Sequence, residues 1–419
     1  MRVLIVSNLY PPISVGGYEA CCEMVATRLA EEHEVHVLTS RRGRDRAPAQ
    51  ARVRRALPLF SEVRGDALRG PLYTAAAMRV VRQTLAHTTP ELILVFNAAG
   101  IPKGAVRALE ASGTPLAYFV HDHWFDEPYR GDPFTRYLRG RHTGAHAAVA
   151  LVARALNRLP ALRVDLRRRV AAAVCFNSQA IRRLTTVADS TEVRLDRVVY
   201  PATRHEELFA ALTRRPSERP RILFVGRIEQ VKGPQIAYRA LGALRDDHGL
   251  DAELVLCGAP DERLAPELRR LAAELGIADR ITVRGALSPR ALASELASAH
   301  ALIVPSVWQE PFGLVALEGA LARVPVVAAR SGGLTEILDD PQHALLFEIG
   351  DWQGAARALA RTLSEPAPTA ERVSRAAQRA REFSVERFLS GSEAFVRDAL
   401  AALAADQKRD RGPTEPVGP

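Results

Sequence analysis

The chain has 419 residues, a length that exceeds one ordinary hydrophobic core and predicts two domains of about 180–200 residues each. It is 47% hydrophobic and 25% charged, as globular proteins are. Its formal net charge of +9 is not accompanied by a zinc-finger spacing or an RNA-binding signature, so we expect no nucleic-acid partner. The four cysteines show neither metal-ligand spacing nor a disulfide framework, which predicts a cytoplasmic protein. No stretch of the sequence reaches the ~20 apolar residues of a membrane-spanning helix.

Short apolar runs alternate with amphipathic helical patterns along most of the chain. In the first half, strands are predicted at Val3–Ser7, Val35–Thr39, Leu92–Phe96, Leu116–Val120, Val174–Asn177 and Val198–Tyr200. In the second half, strands are predicted at Ile222–Val225, Glu253–Cys257, Ile281–Arg284, Leu302–Pro305 and Val326–Ala329. Helices are predicted at Tyr18–Ala30, Pro234–Arg245, Pro266–Leu275, Gly313–Leu321 and Phe383–Ala404. This alternation predicts an α/β fold in which helices cover both faces of parallel sheets.

A charged, proline-containing break at residues 203–220 separates the two sets of strands and predicts two doubly wound domains joined there. The predicted bounds are 1–202 for the first domain, with a basic insertion at about 126–169, and 203–384 for the second. A helix at 385–405 precedes a polar, proline-rich tail at 406–419, which we expect to be disordered. Because ligands bind beyond the carboxyl ends of the strands in such sheets, we expect a cleft between two facing domains.

Two cations follow the first strand of the second domain, in the segment F-V-G-R-I-E-Q-V-K-G. The strand ends at Gly226, and Arg227 and Lys232 lie in the loop before a helix opens at Pro234. A departing phosphate needs fixed positive charges at such a strand end, because negative charge develops there as the bond breaks. The alternative is a pair of solvated surface cations.

The segment E-P-F-G-L-V-A-L-E combines a predicted anion site with two carboxylates. A helix is predicted to begin at its proline, where the amides of Phe312, Gly313 and Leu314 would bind an anion. Glu318 lies eight residues after Glu310, about 12 Å along a helix axis, which is the length of a diphosphate. We expect one carboxylate to reach a sugar and the other a ribose, since carboxylates accept hydrogen bonds from hydroxyls. The alternative is one glutamate that stabilises the helix dipole and one surface glutamate.

Two further segments follow predicted strands of the first domain. Gly16 and Gly17 precede a helix and are similar to a phosphate-binding loop, but they match neither G-x-G-x-x-G nor the P-loop, so an ordinary tight turn competes. His121 and Asp122 end the segment A-Y-F-V-H-D, where a histidine can hydrogen-bond a sugar hydroxyl. The alternative for this pair is a purely structural capping role.

Nowhere in the sequence are two aspartates separated by a single residue, so there is no D-x-D pair to hold a divalent metal on a diphosphate. We therefore expect no metal and no cofactor, with cationic side chains and helix amides in the place of the metal.

Together these segments resemble the family-four retaining glycosyltransferases of the GT-B fold, over nearly all of residues 1–405. The most specific matches are E-P-F-G-L-x-x-L-E at Glu310–Glu318 and G-R-x-x-x-x-K-G at Gly226–Gly233. Further matches are Gly16-Gly17, His121-Asp122, Asn177-Ser178 and S-G-G-L-x-E-I at Ser331–Ile337. The resemblance implies two Rossmann-like domains that face each other across a cleft, and a last helix that crosses back to the first domain.

The resemblance also implies roles for the residues that match. Glu310 would contact hydroxyls of the donor sugar and Glu318 the ribose, while Arg227 and Lys232 would bind the diphosphate. In the first domain, the implied contacts with the donor are those of His121 with the sugar and of Gly17 with the phosphate.

The implied reaction is transfer of a sugar, with retention of configuration, from a nucleoside-diphosphate sugar to a hydroxyl group. In this family the acceptor hydroxyl attacks beside the departing diphosphate, on the front face of the sugar. The acceptor would be a glycan, a lipid-linked molecule or a natural product; the base, the sugar and the oligomeric state stay open. The alternative is a catalytically idle nucleotide-sugar-binding protein, and an NAD-type oxidoreductase leaves the Glu310–Glu318 segment without a role.

The predicted basic insertion contains ten arginines and two aspartates between Arg130 and Arg169, a local net charge of +8. Within it, apolar residues recur at helical spacing beside Arg154 and Arg158; they are Val149, Val152, Ala155, Leu156 and Leu159. One hypothesis is that this helix contacts an anionic acceptor or the anionic inner face of the cell membrane. The alternative is a surface helix that packs its apolar stripe on its own domain.

Overall fold

The computed structural model describes residues 1–13, 16–45, 50–60, 66–125, 132–160, 162–166, 168–187, 190–339 and 341–410. The chain divides into two compact units. The first contains Met1–Asn177, Ile181–Val199 and the chain from Leu389 onward, and the second contains Ser178–Ala180 and Tyr200–Phe388. Each unit has one parallel sheet with helices packed against it, which confirms the predicted α/β fold class.

In its described part, the first unit has a seven-stranded sheet in the order β3-β2-β1-β4-β5-β6-β7. Its strands are β1 Arg2–Ser7, β2 Glu34–Ser40, β3 Val53–Leu57, β4 Leu92–Asn97, β5 Leu116–Val120, β6 Val170–Phe176 and β7 Thr191–Val198. Its helices are α1 Tyr18–Leu29, α2 Asp66–Thr88, α3 Lys103–Glu110 and α4 Ala145–Leu156, and α5 Gln179–Leu184 begins after β6. Every strand pair of this sheet is parallel, for example Val3 of β1 with Val35 of β2.

The second unit has a six-stranded parallel sheet in the order β10-β9-β8-β11-β12-β13 within the residues described. Its strands are β8 Arg221–Val225, β9 Glu253–Cys257, β10 Ile281–Gly285, β11 Ala301–Val304, β12 Val326–Ala329 and β13 Leu345–Phe347. Its helices are α6 Glu206–Ala210, α7 Pro234–Asp246, α8 Ala265–Glu274, α9 Pro289–Ser298, α10 Leu314–Leu321, α11 Leu334–Ile337, α12 Trp352–Ser364 and α13 Pro366–Ala380.

The central strands are buried on both faces, which explains why their sequences are almost continuously apolar. Every residue of β4 and β5, whose sequences are LILVFN and LAYFV, is buried. The second unit has the same pattern in β11 and β12, ALIV and VVAA. Helices cover both faces of such sheets, so no strand face needs polar side chains. The sequence pattern located these strands to within a residue or two.

The edges of the sheets were predicted poorly. The strand predicted at Val198–Tyr200 is wrong, because β7 instead occupies Thr191–Val198, a mostly exposed edge strand with the sequence TEVRLDRV. The edge strands β3 and β13 were not predicted. The edge strands β3 and β7 carry charged residues and lack the apolar run of a central strand, while β13 is apolar but only three residues long.

The last helix, α14, begins at Val385 in the second unit, and its residues from Leu389 onward belong to the first. There, Phe395 packs edge-on against Phe119 at 5.2 Å, and Glu393 pairs with Arg28 at 2.9 Å. The helix continues to Asp410, past the predicted start of a disordered tail at 406, so that start was placed too early. The rest of the predicted tail, 411–419, lies outside the described residues.

The basic insertion predicted at 126–169 contains α4, while residues 126–131, 161 and 167 lie outside the described part. The apolar stripe predicted for α4 is divided between burial and exposure. Val149 and Leu156 are half-buried beside Ala150 and Ala153, whereas Val152 is 57% exposed. Among the described residues, no helix is both long enough and apolar enough to cross a membrane.

Candidate active site

Two glycines shape the loop that follows β8. Gly226 donates its amide to the carbonyl of Cys257 at 3.0 Å, which keeps the end of β8 beside the end of β9. Gly233 has a φ of 72° and precedes α7, and a Cβ at this position would collide with the carbonyl oxygen of Pro305. Only glycine fits there without strain. Gly233 thus brings the Lys232 loop against the residues that follow β11.

The close approach places Lys232 against Glu310, 78 residues later in the chain. The Lys232 ammonium donates to both carboxylate oxygens of Glu310, at 2.8 and 3.0 Å. It also lies 5.1 Å from the centre of the Trp308 ring, within the range of a cation–π contact. The side chains of Lys232 and Glu310 are only 21% and 10% exposed, so water screens this ion pair weakly.

The carboxylate of Glu310 is held by neighbouring donors on several sides. Besides Lys232, the hydroxyl of Ser306 donates to it at 2.8 Å and the indole of Trp308 at 3.0 Å. Its backbone amide donates to the hydroxyl of Ser331 at 3.0 Å. Burial by itself would raise the pKa of Glu310, but the charge of Lys232 and these hydrogen bonds outweigh burial and hold the pKa below its usual value. Glu310 is therefore ionised at neutral pH.

Beside this pair, helix α10 begins with free backbone amides. Gly313 is its N-terminal cap with a φ of 103°, and the helix starts at Leu314. The described residues offer no hydrogen-bond acceptor to the amides of Phe312, Gly313 and Leu314. Free amides at a helix start, reinforced by the helix dipole, attract anions. This end of α10 has the geometry of an anion site.

The predicted distance of about 12 Å between Glu310 and Glu318 assumed helical geometry from Glu310 onward, which the structure does not have. Glu310 and Pro311 precede α10, so the rise of an α-helix does not give their distance to Glu318. Glu318 lies in the second turn and accepts a hydrogen bond from the hydroxyl of Thr203 at 2.8 Å. Burial raises the pKa of Glu318 to about 7, and the bond from Thr203 opposes that rise in part.

Arg227 follows Gly226 at the end of β8 and does not share the Lys232–Glu310 pair. Its guanidinium donates to Glu229 at 2.7 Å, and its side chain is 42% exposed. In the second unit, the structure thus brings Lys232 and Glu310 into contact, while Arg227 and Glu318 bond to other partners.

The glycine pair of the first unit precedes α1, and Gly17 is its N-terminal cap. The amide of Gly16 donates to both carboxylate oxygens of Glu19, at 3.2 and 3.1 Å, and Glu19 is fully buried. A carboxylate of the chain therefore already occupies the amide of Gly16. The phosphate contact of Gly17 stays a prediction.

His121 directly follows β5 and is 7% exposed, with its ring stacked near Phe96 and Phe119. The side-chain amide of Asn177 donates to the His121 carbonyl at 2.9 Å, which fixes the backbone at the strand end. Burial lowers the pKa of His121 to about 4, so the ring is neutral at neutral pH. It can hydrogen-bond a hydroxyl there but carries no positive charge. The strand β1, which the Gly16-Gly17 loop follows, is separated from β5 by β4 alone.

Several residues of the site were not predicted. Ser306 and Trp308 lie just before the Glu310–Glu318 segment and donate to Glu310, but their residue types alone do not mark them. Thr203 lies more than a hundred residues before Glu318 in the chain and has no sequence signal. The S-G-G-L-x-E-I match contains two structural contacts: Ser331 accepts the Glu310 amide, and Glu336 accepts the hydroxyl of Tyr200 at 2.8 Å.

Sequence comparison assigns both units to known families. The family model described as Glycosyltransferase Family 4 matches residues 15–188, and the one described as Glycosyl transferases group 1 matches residues 206–381. The class that fold and sequence define is that of the GT-B glycosyltransferases. Within it, residues 206–381 match the glycosyl transferases of group 1 and residues 15–188 match Glycosyltransferase Family 4. The family resemblance predicted from the sequence motifs is thereby confirmed.

Among its relatives are enzymes named D-inositol 3-phosphate glycosyltransferase. The protein of Acidothermus cellulolyticus is 40% identical over 186 residues, which cover 43% of this chain and 41% of the relative. The protein of Corynebacterium diphtheriae is 33% identical over 220 residues, which cover 49% of this chain and 51% of the relative. The chain thus spans about half the length of these relatives.

Solved structures share the fold at low sequence identity. The sucrose-phosphate synthase of Thermosynechococcus elongatus has a TM-score of 0.70 at 19% identity and covers 96% of this chain and 100% of its own. HepE of Anabaena, solved in complex with UDP, has a TM-score of 0.64 at 19% identity and covers 95% and 100%. At these identities the likeness concerns the fold.

Proposed function

We propose that the protein transfers a sugar from a nucleoside-diphosphate sugar to an acceptor hydroxyl, with retention of configuration and without a metal. The observation that carries the proposal is the Lys232–Glu310 ion pair, which lies beyond the carboxyl ends of β8 and β11 and beside the free amides of α10. Ligands of parallel α/β sheets bind at such strand ends. A cation and free amides suit a diphosphate, and a carboxylate suits the hydroxyls of a sugar.

The ion pair also suggests how the site would respond to the donor. Lys232, Ser306 and Trp308 make four hydrogen bonds to the Glu310 carboxylate, three to Oε2 and one to Oε1. When a diphosphate binds, it would draw the Lys232 ammonium towards its own oxygens. Two acceptor positions of Glu310 would then open for sugar hydroxyls. Binding of the diphosphate by Lys232 would thus be coupled to binding of the sugar by Glu310.

The main chemical task of the proposed reaction is to stabilise the leaving diphosphate. As the bond from the anomeric carbon to the phosphate oxygen breaks, negative charge grows on that oxygen. Lys232, Arg227 and the amides of α10 would stabilise this charge without rearranging. The acceptor hydroxyl would attack on the same face and pass its proton to a departing phosphate oxygen. Glu310 would position the sugar and would not act as a nucleophile.

The nucleotide can be identified by thermal shift with UDP, GDP, ADP and dTDP, followed by the corresponding sugars. UDP is our first candidate, because the Anabaena neighbour is described in complexes with UDP and UDP-glucose. A ligand at 100 times its dissociation constant adds about 2.7 kcal/mol to the free energy of unfolding, which a melting curve resolves. If none of the four nucleotides raises the Tm, the proposed donor site is wrong.

Turnover separates a transferase from an idle binder. With the nucleotide sugar that binds, we expect release of the nucleoside diphosphate in the presence of an acceptor. D-inositol 3-phosphate belongs in the acceptor panel because relatives are named for it. The reaction should persist in excess EDTA, since Lys232, Arg227 and the α10 amides carry the charge-stabilising role in our proposal. Loss of activity on chelation, restored by a divalent ion, would overturn the metal-independent mechanism.

We also propose that α4 contacts an anionic membrane surface, which would make the protein peripheral to the inner face of the cell membrane. Leu151 and Val152 of α4 are 71% and 57% exposed, and Leu159 just beyond it is 50% exposed. Arg154 and Arg158 are exposed beside them. Apolar side chains flanked by arginines are typical of helices that lie on anionic lipid.

Co-sedimentation with anionic vesicles tests this contact. The double variant Leu151→Ser/Val152→Ser should bind anionic vesicles more weakly than the wild type at low salt. Val283→Ser is the control, since Val283 is 52% exposed on the edge strand β10 of the other unit. Equal sedimentation of all three proteins, or no sedimentation of the wild type, would remove the membrane proposal and leave the transferase proposal intact.

A further inference from the structure

A cavity of about 630 Å³ lies in the first unit, and none of the candidate active-site residues lines it. Its walls come from the second half of α2, from α3 and from the segment that follows α4. The lining includes apolar side chains, among them Met78, Leu85 and Ala108. It also includes exposed arginines at positions 82, 163 and 168, and we call this exposed part of the lining the mouth.

The cavity lies towards the amino ends of the strands. Three of its lining residues shortly precede strands: Leu85 comes before β4, Ser112 before β5 and Arg168 two residues before β6. In a parallel sheet all amino ends lie at one edge, and the carboxyl ends, which precede the Gly16-Gly17 loop and His121, lie at the other. The cavity is therefore separate from the candidate active-site residues of its own unit.

A buried ion pair fixes the wall of the cavity. Arg107 pairs with Glu110 at 2.5 Å, and both side chains are only 4% exposed. The Arg107 guanidinium also donates to the backbone carbonyls of Asp165 and Arg168, at 2.9 and 2.5 Å. Tyr118 donates to Glu110 at 2.7 Å and ties the pair to β5. Arg107 thus holds the segment after α4 on α3 and positions the arginines at the mouth.

The mouth of the cavity has an excess of positive charge. Arg82, Arg163 and Arg168 form no ion pair with any residue that the structure describes. Asp165 is the acidic residue of the lining, so three arginines and one aspartate leave a net charge of +2, with Arg107 neutralised by Glu110. One carboxylate does not balance three guanidinium groups, and a phosphate can neutralise the excess charge through paired hydrogen bonds.

We propose that this cavity binds a phosphate group carried by an apolar body. The arginines at the mouth would hold the phosphate, and the apolar side of Met78, Leu85 and Ala108 would receive the attached hydrocarbon. Such a ligand could be the headgroup region of a lipid or a soluble phosphate ester; the chemistry recognised is the same. The site is independent of the donor site and of the proposed transfer reaction.

Calorimetric titration of the full-length protein with dihexanoyl phosphatidic acid, kept below its micelle concentration, tests the proposal. We expect saturable binding at one site. The triple variant Arg82→Gln/Arg163→Gln/Arg168→Gln should weaken it at least about tenfold, because it removes charge-assisted hydrogen bonds. The control Arg263→Gln/Arg270→Gln/Arg290→Gln makes the same charge change on exposed arginines of the second unit and should bind as the wild type does.

Two further arms identify the source and the place of the ligand. Inorganic phosphate that binds as tightly as the short-chain lipid would indicate a soluble phosphate, whereas binding that needs the acyl chains would indicate a lipid; both support the site. Excess UDP should not displace the lipid, since the donor site lies elsewhere. Absence of saturable binding to either phosphate probe, equal affinity of the triple variant with unchanged Tm, or displacement by UDP would each overturn the proposal.

Discussion

The ammonium nitrogen of Lys232 lies 2.8 Å from one carboxylate oxygen of Glu310 and 3.0 Å from the other. This contact joins the loop after β8 to the loop after β11. The strands β8 and β11 are neighbours in the sheet. The charge of Lys232 helps to hold the pKa of Glu310 below its usual value, at a place where both side chains are largely shielded from water. The fold thus brings together the amine and the carboxylate that the proposed donor needs.

Removal of either cation should slow the proposed transfer. We expect Lys232→Ala and Arg227→Ala each to lower kcat/KM by an amount equivalent to about 2–4 kcal/mol, the scale of losing one charge-stabilising donor. Steady-state kinetics measures this, with Arg290→Ala on the exposed face of α9 as the control. Unchanged turnover in both variants would refute the assignment of the diphosphate site.

The substitution Glu310→Gln should distinguish binding of the nucleoside diphosphate from binding of the sugar. The amide keeps the shape of the side chain but no longer holds the Lys232 ammonium by charge, so Lys232 is free for a diphosphate. We expect the variant to bind the nucleoside diphosphate at least as tightly as the wild type does. We also expect it to lose the additional affinity that the sugar gives to the nucleotide sugar. Calorimetry with both ligands measures the difference. A parallel loss for both ligands would argue against a sugar-specific role.

The collision expected at Gly233 can be tested against a matched glycine. Gly233 and Gly249 have φ angles of 72° and 67°, so alanine is strained at both, by about 1–2 kcal/mol. At Gly249 an added Cβ meets no atom within 4 Å, whereas at Gly233 it collides with the Pro305 carbonyl. Gly233→Ala should therefore lower the free energy of unfolding more than Gly249→Ala, and should also weaken donor binding by displacing Lys232. Equal denaturation midpoints would contradict the packing described here.

The raised pKa of Glu318 predicts a pH dependence of stability. Its pKa in the folded protein is about 7 and its ordinary value is 4.5, so between these values the folded state keeps a proton that the unfolded chain loses. Its contribution to stability therefore falls as pH rises from about 4.5 to 7. Urea denaturation of the wild type and of Glu318→Gln at several pH values measures the contribution of Glu318. The other titrating groups contribute equally to both proteins, so they cancel in the difference between the two free energies of unfolding. A difference that does not change across this window would show that the pKa is not raised.

The same pKa predicts how donor binding depends on pH. If Glu318 accepts hydrogen bonds from a ribose, only its ionised form serves fully, so donor affinity should fall as pH drops below about 7. In Glu318→Gln this decline should be absent, and affinity should be low at every pH. Thr203→Val removes the donor that opposes the rise, so it should shift the midpoint to higher pH.

The sequence predicted the parts of the fold that depend on local patterns. Central strands such as Glu253–Cys257 and Val326–Ala329 were located at their observed bounds, since burial on both faces requires a continuous apolar run. The edge strands β3 and β7 were missed because they carry charged residues and need no such run, and β13 was missed because it has only three residues. The helix predicted at Gly313–Leu321 agrees with α10 to within one residue, and Pro311 precedes its first turn.

The motifs by themselves determined the family, and the order of residues around Arg227, Lys232, Glu310 and Glu318 was enough to identify it. Which of these residues touch was decided by tertiary structure alone. The Lys232–Glu310 contact depends on the pairing of β8 with β11 and on a left-handed Gly233 packed against Pro305. Neither feature can be predicted from the local sequence. The pKa values of Glu318 and His121 follow from burial, a property of the packed chain. Local patterns record which chemistry a residue can perform, while distance, burial and charge around it arise only when distant segments pack together.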